Sequence, residues 1–490
     1  MDNSINIGSR REVCWDEYLW EKAEGIRVAM HRPEYRGVAL RCDKPWEGNV
    51  CGYFQVLQEG RTARLYYRGG DLIANSDGTG AYEGPMFFCY AQSTDGKTFT
   101  RVPTHVREDV AGTESNIFYP NQQDNVCVCW DANPACPPDA RYKALVGEED
   151  RTLTVCKSAD GIHFEKMYTL DDDGAFDSMN LAFWDPNTRQ YFIYYRGLHN
   201  GLDGSNFVWG QEKEGPVKVI RDVRVRTSKD FIHWSEPKRL DFGPEAEDYE
   251  LYTNQVKPYY RANHVFLGIP TRYVERWDDA ENFKHLPDYK NRKNLVKLYG
   301  RSGTAMTDCV LMTSRDGVNF RRTDEAFLTA GPEREYNWYY GDGYVSWGML
   351  ETEGDRPGAP REISLYMGNN YRAAPVDLCR YALRLDGFFS WSGDYKGGEV
   401  LTRLMTFEGD DLEINFATSA LGHVRICLCD EMGDLIPGFD SGRIFGDSVE
   451  RPVTFIGDLA DLVGKPVRMR IELKDAELYS FKFREKTVIG

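Results

Sequence analysis

The sequence predicts an all-β chain, with a five-bladed β-propeller followed by a C-terminal β-sandwich. Three observations predict this fold: a strand–turn–strand motif recurs along the first 390 residues, a second buried strand precedes each turn, and strictly alternating strands follow residue 392. Aromatic residues form 13% of the chain and favour pleated surfaces, which agrees with a strand-rich fold. With 490 residues, the chain exceeds the usual size of one hydrophobic core, so we expect two domains.

The turn motif is Ser-x-Asp-Gly-x-x-aromatic, with Phe in place of Gly in the third copy. Asp-Gly favours a tight hairpin turn, and the aromatic residue returns the next strand to the core. The four copies begin at Ser93, Ser158, Ser228 and Ser314, and a weaker fifth version begins at Leu385. Each copy therefore marks one strand–turn–strand unit.

The second element is a buried strand upstream of each turn. Tyr-Tyr-Arg-Gly occurs at 66–69 and again at 194–197, and strands at 141–147, 264–268 and 363–368 occupy the same phase. Five such strand-rich units are typical of propeller blades. We predict blades at 42–106, 107–170, 171–240, 241–326 and 327–390. Polar inserts at 199–220 and 273–303 are predicted to be loops without helices.

The domain boundary is predicted near residue 390. Residues 1–390 would form the propeller, with the N-terminal segment 1–41 packing on it. Strands at 412–416, 424–428 and 467–473 alternate strictly between apolar and polar residues, as half-buried strands do. Residues 391–490 are therefore predicted to form a β-sandwich that braces the propeller.

Composition excludes several classes of function. The net charge of −17 argues against nucleic-acid and anionic-membrane partners, because both are bound by surplus Lys and Arg. No apolar run approaches the roughly 18 residues that span a bilayer. The start of the chain lacks the apolar stretch of a secretory signal, so we expect a cytoplasmic protein with reduced thiols. We find no metal or cofactor motif and expect no cofactor, and a homo-oligomer is compatible with the sequence.

Carboxylates recur at one phase of the repeat, on the strand that would line the propeller axis. These residues are Glu47, Glu114, Asp177 and Glu250. Carboxylates crowded in a channel shift one another's pKa values, and glycoside hydrolysis uses such a pair, with one acid protonated and one carboxylate ionised. We predict Glu47, Asp177 and Glu250 as catalytic residues, although Glu47 could face solvent at a strand end and Glu250 adjoins an acidic run.

Polar and aromatic residues near these carboxylates are candidates for holding sugar hydroxyls and sugar rings. The predicted substrate-binding residues are Trp46, Glu114, Asn116, Asn180, Tyr252, Asn254, Gln255, Arg272, Asp308 and Trp347. Trp46 and Tyr252 are predicted to be stacking platforms. Arg272 could instead pair with a structural aspartate.

The blades, the axial carboxylates and the trailing sandwich together resemble the five-bladed glycoside hydrolases of families 32, 43 and 68. More closely, segments 11–19, 45–48, 174–184, 251–255 and 270–273 are similar to a bacterial group of glycosidases related to family 32. The chain departs from family 32 itself, whose Trp-Met-Asn-Asp-Pro-Asn, Arg-Asp-Pro and Glu-Cys motifs are not found here in that order. By position only, Glu47 or Asp177 would be the nucleophile or base and Glu250 the acid.

This resemblance implies a glycoside hydrolase acting on a carbohydrate, with furanosides such as fructosides or arabinosides favoured. Two alternatives stay open. A glycoside phosphorylase, resembling the five-bladed mannoside phosphorylases, would recruit basic residues from among Arg196, Lys257, Arg261 and Arg272 to hold phosphate. A non-catalytic propeller would bind glycan or protein, since a fold does not determine a function.

Overall fold

The computed structural model describes residues 4–119, 125–148, 151–170, 174–208, 215–276 and 281–486. The all-β class is confirmed, because strands dominate this part of the chain. Its α-helices are Glu108–Ala111, Tyr289–Tyr299 and Arg301–Thr304, and its 3-10 turns are Gly48–Val50, Gly112–Glu114, Pro138–Ala140, Asn282–Lys284 and Leu459–Leu462. None of the described helices is long and apolar enough to cross a membrane.

Five antiparallel four-stranded sheets, which we call sheets A to E, follow one another along the described residues. Sheet A contains Gly52–Glu59, Thr62–Ala74, Gly80–Ser93 and Thr100–Arg101. Sheet B contains Asn125–Trp130, Tyr142–Gly147, Leu153–Ser158 and Glu165–Leu170, and sheet C contains Leu181–Asp185, Gln190–Asn200, Val219–Ser228 and Lys238–Arg239. Sheet D contains Lys257–Tyr259, Ala262–Gly268, Met312–Ser314 and Arg321–Arg322, and sheet E contains Leu350–Thr352, Glu362–Asn369, Asp377–Arg384 and Glu34–Arg41. The strands of sheets A to D lie inside the ranges predicted for the first four blades.

Sheet E takes its outer strand from the other end of the chain. Glu34–Arg41 pairs antiparallel with Asp377–Arg384, with Arg41 opposite Asp377 and Glu34 opposite Ala382. This strand was not predicted from the sequence, because its partner strand is more than 300 residues away in the chain and no local pattern marks the pairing. The last sheet therefore joins the N-terminal segment to the end of the repeat.

The Ser-x-Asp turns share one hydrogen-bond pattern. In the first copy, the Ser93 hydroxyl donates to Asp95 at 2.8 Å, and Asp95 accepts the amides of Lys97 and Thr98. The same bonds recur in the copies that begin at Ser158, Ser228 and Ser314. Phe231 takes the place of Gly in the third copy and has a positive φ of 63°, so the turn keeps its shape at the cost of some backbone strain.

Between sheets C and E along the described chain, four short strands and two α-helices lie outside sheet D. Glu250–Leu251, Thr271–Val274 and Met306–Cys309 form a three-stranded sheet, and Tyr340–Gly343 is a further strand. The prediction that the insert at 273–303 is a loop without helices is wrong, because Tyr289–Tyr299 is an 11-residue helix. Only Arg292 and Leu295 of this helix are buried, so the insert shows no apolar helical periodicity.

Nine strands of the described chain form one further sheet. They are Trp20–Glu24, Gly398–Thr402, Arg468–Arg484, Phe389–Gly393, Ile26–Met30, Arg11–Val13, Asp411–Cys429, Leu435–Asp440 and Asp447–Val453, while Ile5–Gly8 pairs in parallel with Met405–Phe407. Four N-terminal strands thus pair with C-terminal strands, and only Glu34–Arg41 joins the repeat. The domain boundary near residue 390 and the C-terminal sandwich stay predictions.

Candidate active site

The Tyr252 ring contacts the arginines of two arginine–carboxylate pairs. In the first pair, Arg196 donates from Nη1 to Oδ1 of Asp177 at 2.8 Å, and its Cζ lies 4.2 Å from the centroid of the Tyr252 ring. In the second pair, Arg221 contacts Oε2 of Glu250, and its Cζ lies 5.3 Å from the same centroid. The structure therefore brings three of the predicted residues, Asp177, Glu250 and Tyr252, to one place.

Sheet C supplies both arginines of this arrangement. Arg196 is on its second strand and Arg221 on its third, so cross-strand pairing sets their spacing. The Tyr252 backbone is held from two sides, because its amide donates to Thr271 at 2.7 Å and its carbonyl accepts Nη2 of Arg196 at 2.5 Å. Glu250 belongs to the short strand that pairs with Thr271–Val274.

Exposure separates the carboxylates from the tyrosine. The Asp177 side chain is 51% exposed and that of Glu250 is 19% exposed, whereas Tyr252 is 7% exposed. Both carboxylates are therefore partly open to a ligand, and the buried ring contacts the arginines that hold them.

Tyr252 belongs to a larger group of tyrosines and arginines, which we call the Tyr–Arg cluster. Its members are Tyr53, Tyr252, Tyr340, Tyr344, Tyr371, Arg68, Arg196, Arg301 and Arg372. The Tyr344 ring stacks on Tyr53 and Tyr252, with centroids 6.2 and 5.6 Å away. The cluster draws on sheets A and C, on the strand Tyr340–Gly343 and on the helix Arg301–Thr304.

Positive charge changes the acidity of Tyr252. Burial acts to raise its pKa, but the Arg196 and Arg301 guanidinium groups outweigh burial and lower the pKa to about 8. Burial instead raises the pKa values of Tyr53, Tyr340 and Tyr344 well above their usual range. Tyr252 is thus the member of the cluster whose hydroxyl ionises most readily among these four.

Asp342 is a second unusual acid on a neighbouring segment. It lies between Tyr340 and Tyr344 in the sequence, and its side chain is buried. Burial raises its pKa to about 6, although two backbone amides and nearby arginines act to lower the pKa. Its Oδ2 accepts the Tyr339 amide at 2.9 Å, while its buried Oδ1 has no hydrogen-bond partner among the described residues. A carboxyl in this state is close to half protonated at mildly acidic pH.

Glu47 is fully buried and its carboxylate is held by hydrogen bonds. Arg101 donates to both oxygens, at 2.8 and 2.7 Å, and the Tyr67 hydroxyl and the Lys44 amide also donate to it. Trp46, which precedes Glu47 and was also predicted to be in the site, donates from Nε1 to Asn116 at 2.8 Å, and Asn116 in turn donates to Tyr67. These contacts link Glu47, Trp46 and Asn116 into a network of their own, apart from the Tyr–Arg cluster.

The predicted amide residues are buried and donate to backbone carbonyls. Asn180 donates to Phe176 and Ser178, Asn254 donates to Met179, and Gln255 donates to Val345 at 2.8 Å. All three are less than 5% exposed. Their amides therefore support the chain that carries Asp177 and Tyr252.

The other predicted residues lie elsewhere. Arg272 and Asp308 pair with each other at 2.6 Å, as in the alternative prediction that Arg272 pairs with a structural aspartate. Glu114 is on an exposed 3-10 turn. Trp347 lines a cavity of about 1070 Å³ together with Lys257 and residues at the carboxyl ends of the first strands of sheets A, B and C. Asp177 precedes the first strand of sheet C, so this cavity is at the opposite end of the sheets.

Sequence reasoning did not single out Arg221, Arg301, Tyr53, Tyr340 or Tyr371. One signal was available, because the Tyr-Tyr-Arg-Gly repeats place Arg68 and Arg196 at the same phase of sheets A and C. Among the residues that the structure describes, no group of three or more His, Cys, Asp or Glu side chains could hold a metal ion.

No protein-family model matches the chain, and no curated protein matches it. Solved structures with a similar arrangement include an N-acetylgalactosamine deacetylase from F. plautii in complex with blood group B trisaccharide, at 13% identity over 92% of this chain and 95% of that chain, with a TM-score of 0.40. The catalytic domain of the Coprinopsis cinerea GH62 α-L-arabinofuranosidase matches at 7% identity over 72% and 97%, with a TM-score of 0.41. A structure from the GH130 family of mannoside phosphorylases matches at 14% identity over 73% and 94%, with a TM-score of 0.42. The function is therefore argued from the site itself.

Proposed function

We propose that this chain is a glycoside hydrolase, and that sheets A to E are the five blades of a β-propeller with the active site at the end that carries Asp177 and Glu250. One observation carries this proposal: two partly exposed carboxylates from different parts of the repeat pair with arginines that both contact one buried tyrosine ring. Glycosidic hydrolysis uses two carboxyl groups on either side of the scissile bond. The nine-stranded sheet would include the bracing C-terminal sandwich.

The two carboxylates would divide the reaction between them. Asp177 is the more exposed, and its contact with the buried Arg196 fixes its orientation, so it would serve as the nucleophile or the base that activates water. Glu250 would protonate the leaving oxygen once the substrate has displaced Arg221 and the freed carboxylate has taken up a proton from water. Tyr252 and its neighbours would bind one face of the sugar, because aromatic rings offer an apolar surface with a polar edge.

Glu47 has a structural role in this scheme, contrary to the catalytic role predicted for it. Its carboxylate accepts four hydrogen bonds and is closed to solvent, so a substrate could reach it only by breaking the contact with Arg101. We therefore expect a Glu47→Gln variant to be less stable, and we do not expect it to lack a catalytic group.

The test is a substrate screen with matched variants. The purified protein is assayed against aryl furanosides, aryl pyranosides and a glycan panel, with and without phosphate, beside Asp177→Asn, Glu250→Gln and the control Glu114→Gln. We expect turnover in water, with kcat lowered at least about 100-fold in the first two variants and unchanged in the control. Fructosides and arabinosides are the first substrates to try.

Two outcomes would contradict the proposal. Turnover only in the presence of phosphate would make the protein a phosphorylase. Glycan binding without turnover, unaffected by substitution of either carboxylate, would make it a binding protein whose carboxylates are structural.

A further inference from the structure

One arginine of the Tyr–Arg cluster, Arg301, is not balanced by a carboxylate among the described residues. Arg196 pairs with Asp177, but Arg301 has no carboxylate within ion-pair distance in the described part of the chain. The Arg301 guanidinium instead lies 5.4 Å from the Tyr340 centroid and 5.7 Å from that of Tyr273. This cationic site is in a protein whose net charge is −17, so the local charge is opposite to that of the whole chain.

Several hydrogen-bond donors of the cluster are buried without partners. Among the described residues, Nε of Arg196, Nη1 of Arg301 and the hydroxyl of Tyr344 have no hydrogen-bond partner. Arg196 and Tyr344 are 4% and 6% exposed. Native proteins satisfy nearly all of their buried polar groups, so donors gathered in one cluster indicate a ligand that accepts from them.

The shared chemistry of these donors points to an oxyanion. A guanidinium group presents planar N–H donors that match a carboxylate, sulfate or phosphate, and bonds to an ionised acceptor are the stronger ones. The lowered pKa of Tyr252 reports the same positive potential at the centre of the cluster. A neutral sugar hydroxyl would satisfy the donors but leave the charge of Arg301 unbalanced.

We propose that this site selects an anionic glycan, and that Arg301, with Arg196 and Tyr344, binds a carboxylate or sulfate carried by the sugar. This inference rests on the proposed function. Because Arg196 also contacts Asp177, an anion bound to Arg196 would lie beside one of the proposed catalytic carboxylates. The charged substituent would therefore belong to a sugar unit next to the scissile bond.

The test measures binding of free monosaccharides by calorimetry, so that it does not depend on turnover. The probes are D-galacturonate, D-glucuronate and galactose 6-sulfate, compared with D-galactose and D-glucose, and with inorganic sulfate and phosphate. The variants are Arg301→Gln and Arg301→Lys, and the control is Arg403→Gln, whose guanidinium also lies 5.4 Å from a tyrosine centroid, that of Tyr18. Thermal unfolding of each variant shows whether it is folded.

We expect at least one anionic sugar to bind about tenfold or more tightly than its neutral counterpart, as one charge-assisted contact would give. Arg301→Gln removes this preference, Arg301→Lys retains part of it, and Arg403→Gln leaves it intact. Equal binding of charged and neutral sugars overturns the inference, as does binding of inorganic phosphate with no preference among the sugars. Hydrolysis of neutral glycosides with no anionic preference would refute the inference alone, while anionic preference without turnover on any glycoside would refute only the proposed function.

Discussion

Buried polar side chains differ in whether their polar atoms have hydrogen-bond partners within the protein. Glu47, Asn116 and Gln255 have their polar atoms in hydrogen bonds to neighbouring groups, and such residues hold the backbone in place. Tyr344 and Asp342 retain buried atoms without partners in the described residues. Unsatisfied or ionisation-shifted groups are costly and cluster at functional sites, which is why we place the site around them.

Tyr252 provides a direct spectroscopic prediction. Its pKa is lowered from 10.0 to about 8, so one of the 29 tyrosines should ionise near pH 8, ahead of the others, in an ultraviolet titration of tyrosinate. Tyr252→Phe should abolish this step, and Tyr344→Phe should retain it. Because the folded pKa is depressed, the stability that ionisation contributes is present above pH 10 and is lost as pH falls through about 8. A step near pH 8 that persists in Tyr252→Phe would contradict the assignment.

Replacing Asp342 by Asn is predicted to stabilise the protein near neutral pH. Its folded pKa is raised from 3.8 to about 6, so its contribution to stability is present below pH 3.8 and is lost as pH rises through about 6. Asp342→Asn keeps an oxygen for the Tyr339 amide and should raise the free energy of unfolding near neutral pH by about 1–3 kcal/mol. Urea denaturation should show no such gain below pH 3.8. Destabilisation by Asp342→Asn near neutral pH would contradict this prediction and show that the ionised carboxylate stabilises the fold.

Single strands and turns determine how the tyrosines pack against one another. In the strand Tyr340–Gly343, Gly341 has a φ of 109°, and a Cβ built on it would lie 2.1 Å from Cδ1 of Tyr371. The Tyr371 hydroxyl in turn accepts from Arg68 at 3.3 Å. The absence of a side chain at Gly341 is therefore what allows the two rings Tyr340 and Tyr371 to meet.

Gly341→Ala should displace Tyr371, and Gly331→Ala is the matched control. Both glycines have positive φ, but a Cβ on Gly331 would meet nothing within 4 Å. The control should cost only the backbone strain, about 1–2 kcal/mol. Gly341→Ala should cost at least about 1 kcal/mol more, because the ring must move, and it should also weaken sugar binding. Equal losses of unfolding free energy in the two variants would show that Tyr371 is not held by this contact.

The whole molecule is held together by contacts between its two ends and the repeat. Asp386 is fully buried at this junction and accepts hydrogen bonds from Tyr259 at 2.7 Å, from Arg261 at 2.8 Å and from Ser480 at 2.7 Å. Arg11, from an N-terminal strand, lies 3.6 Å away. One carboxylate thus connects sheet D, the nine-stranded sheet and the N-terminal segment.

Asp386→Asn should therefore destabilise the whole chain. Burial acts to raise the pKa of Asp386, but Arg261 and Arg11 lower it below its usual 3.8. Its contribution to stability is present above pH 3.8 and is lost as pH falls through the folded pKa. The substitution should cost about 3–5 kcal/mol near neutral pH, because it removes the carboxylate nearest to the largely buried Arg261, while Arg11 keeps its pair with Glu413. Asp139→Asn, which removes an exposed pair with Lys157, is the control and should change the melting temperature little. A melting temperature that Asp386→Asn leaves unchanged would rule out this junction as a major source of stability.

Much of the fold and part of the candidate site could be predicted from the sequence. The Ser-x-Asp turns and the buried strands before them are local patterns, and the blade ranges predicted from them enclose the strands of sheets A to D. Asp177 and Glu250 occupy one phase of the repeat and both pair with arginines that contact Tyr252, but Glu47 and Glu114 occupy the same phase and do not join them. The helix Tyr289–Tyr299 could not be predicted, because it buries too few apolar residues to show a helical period.

The sequence by itself determined the repeated turns and, for the strands that it predicted, which side chains share a face, because side chains alternate along a strand with a period of two. Only the tertiary structure decided that Glu34–Arg41 completes sheet E, that Arg261 pairs with Asp386 and that Arg301 reaches the tyrosines around Tyr252. These contacts join segments far apart in the chain and depend on where long side chains end. No local pattern encodes them, because their energy exists only once the distant partners have been brought together by folding.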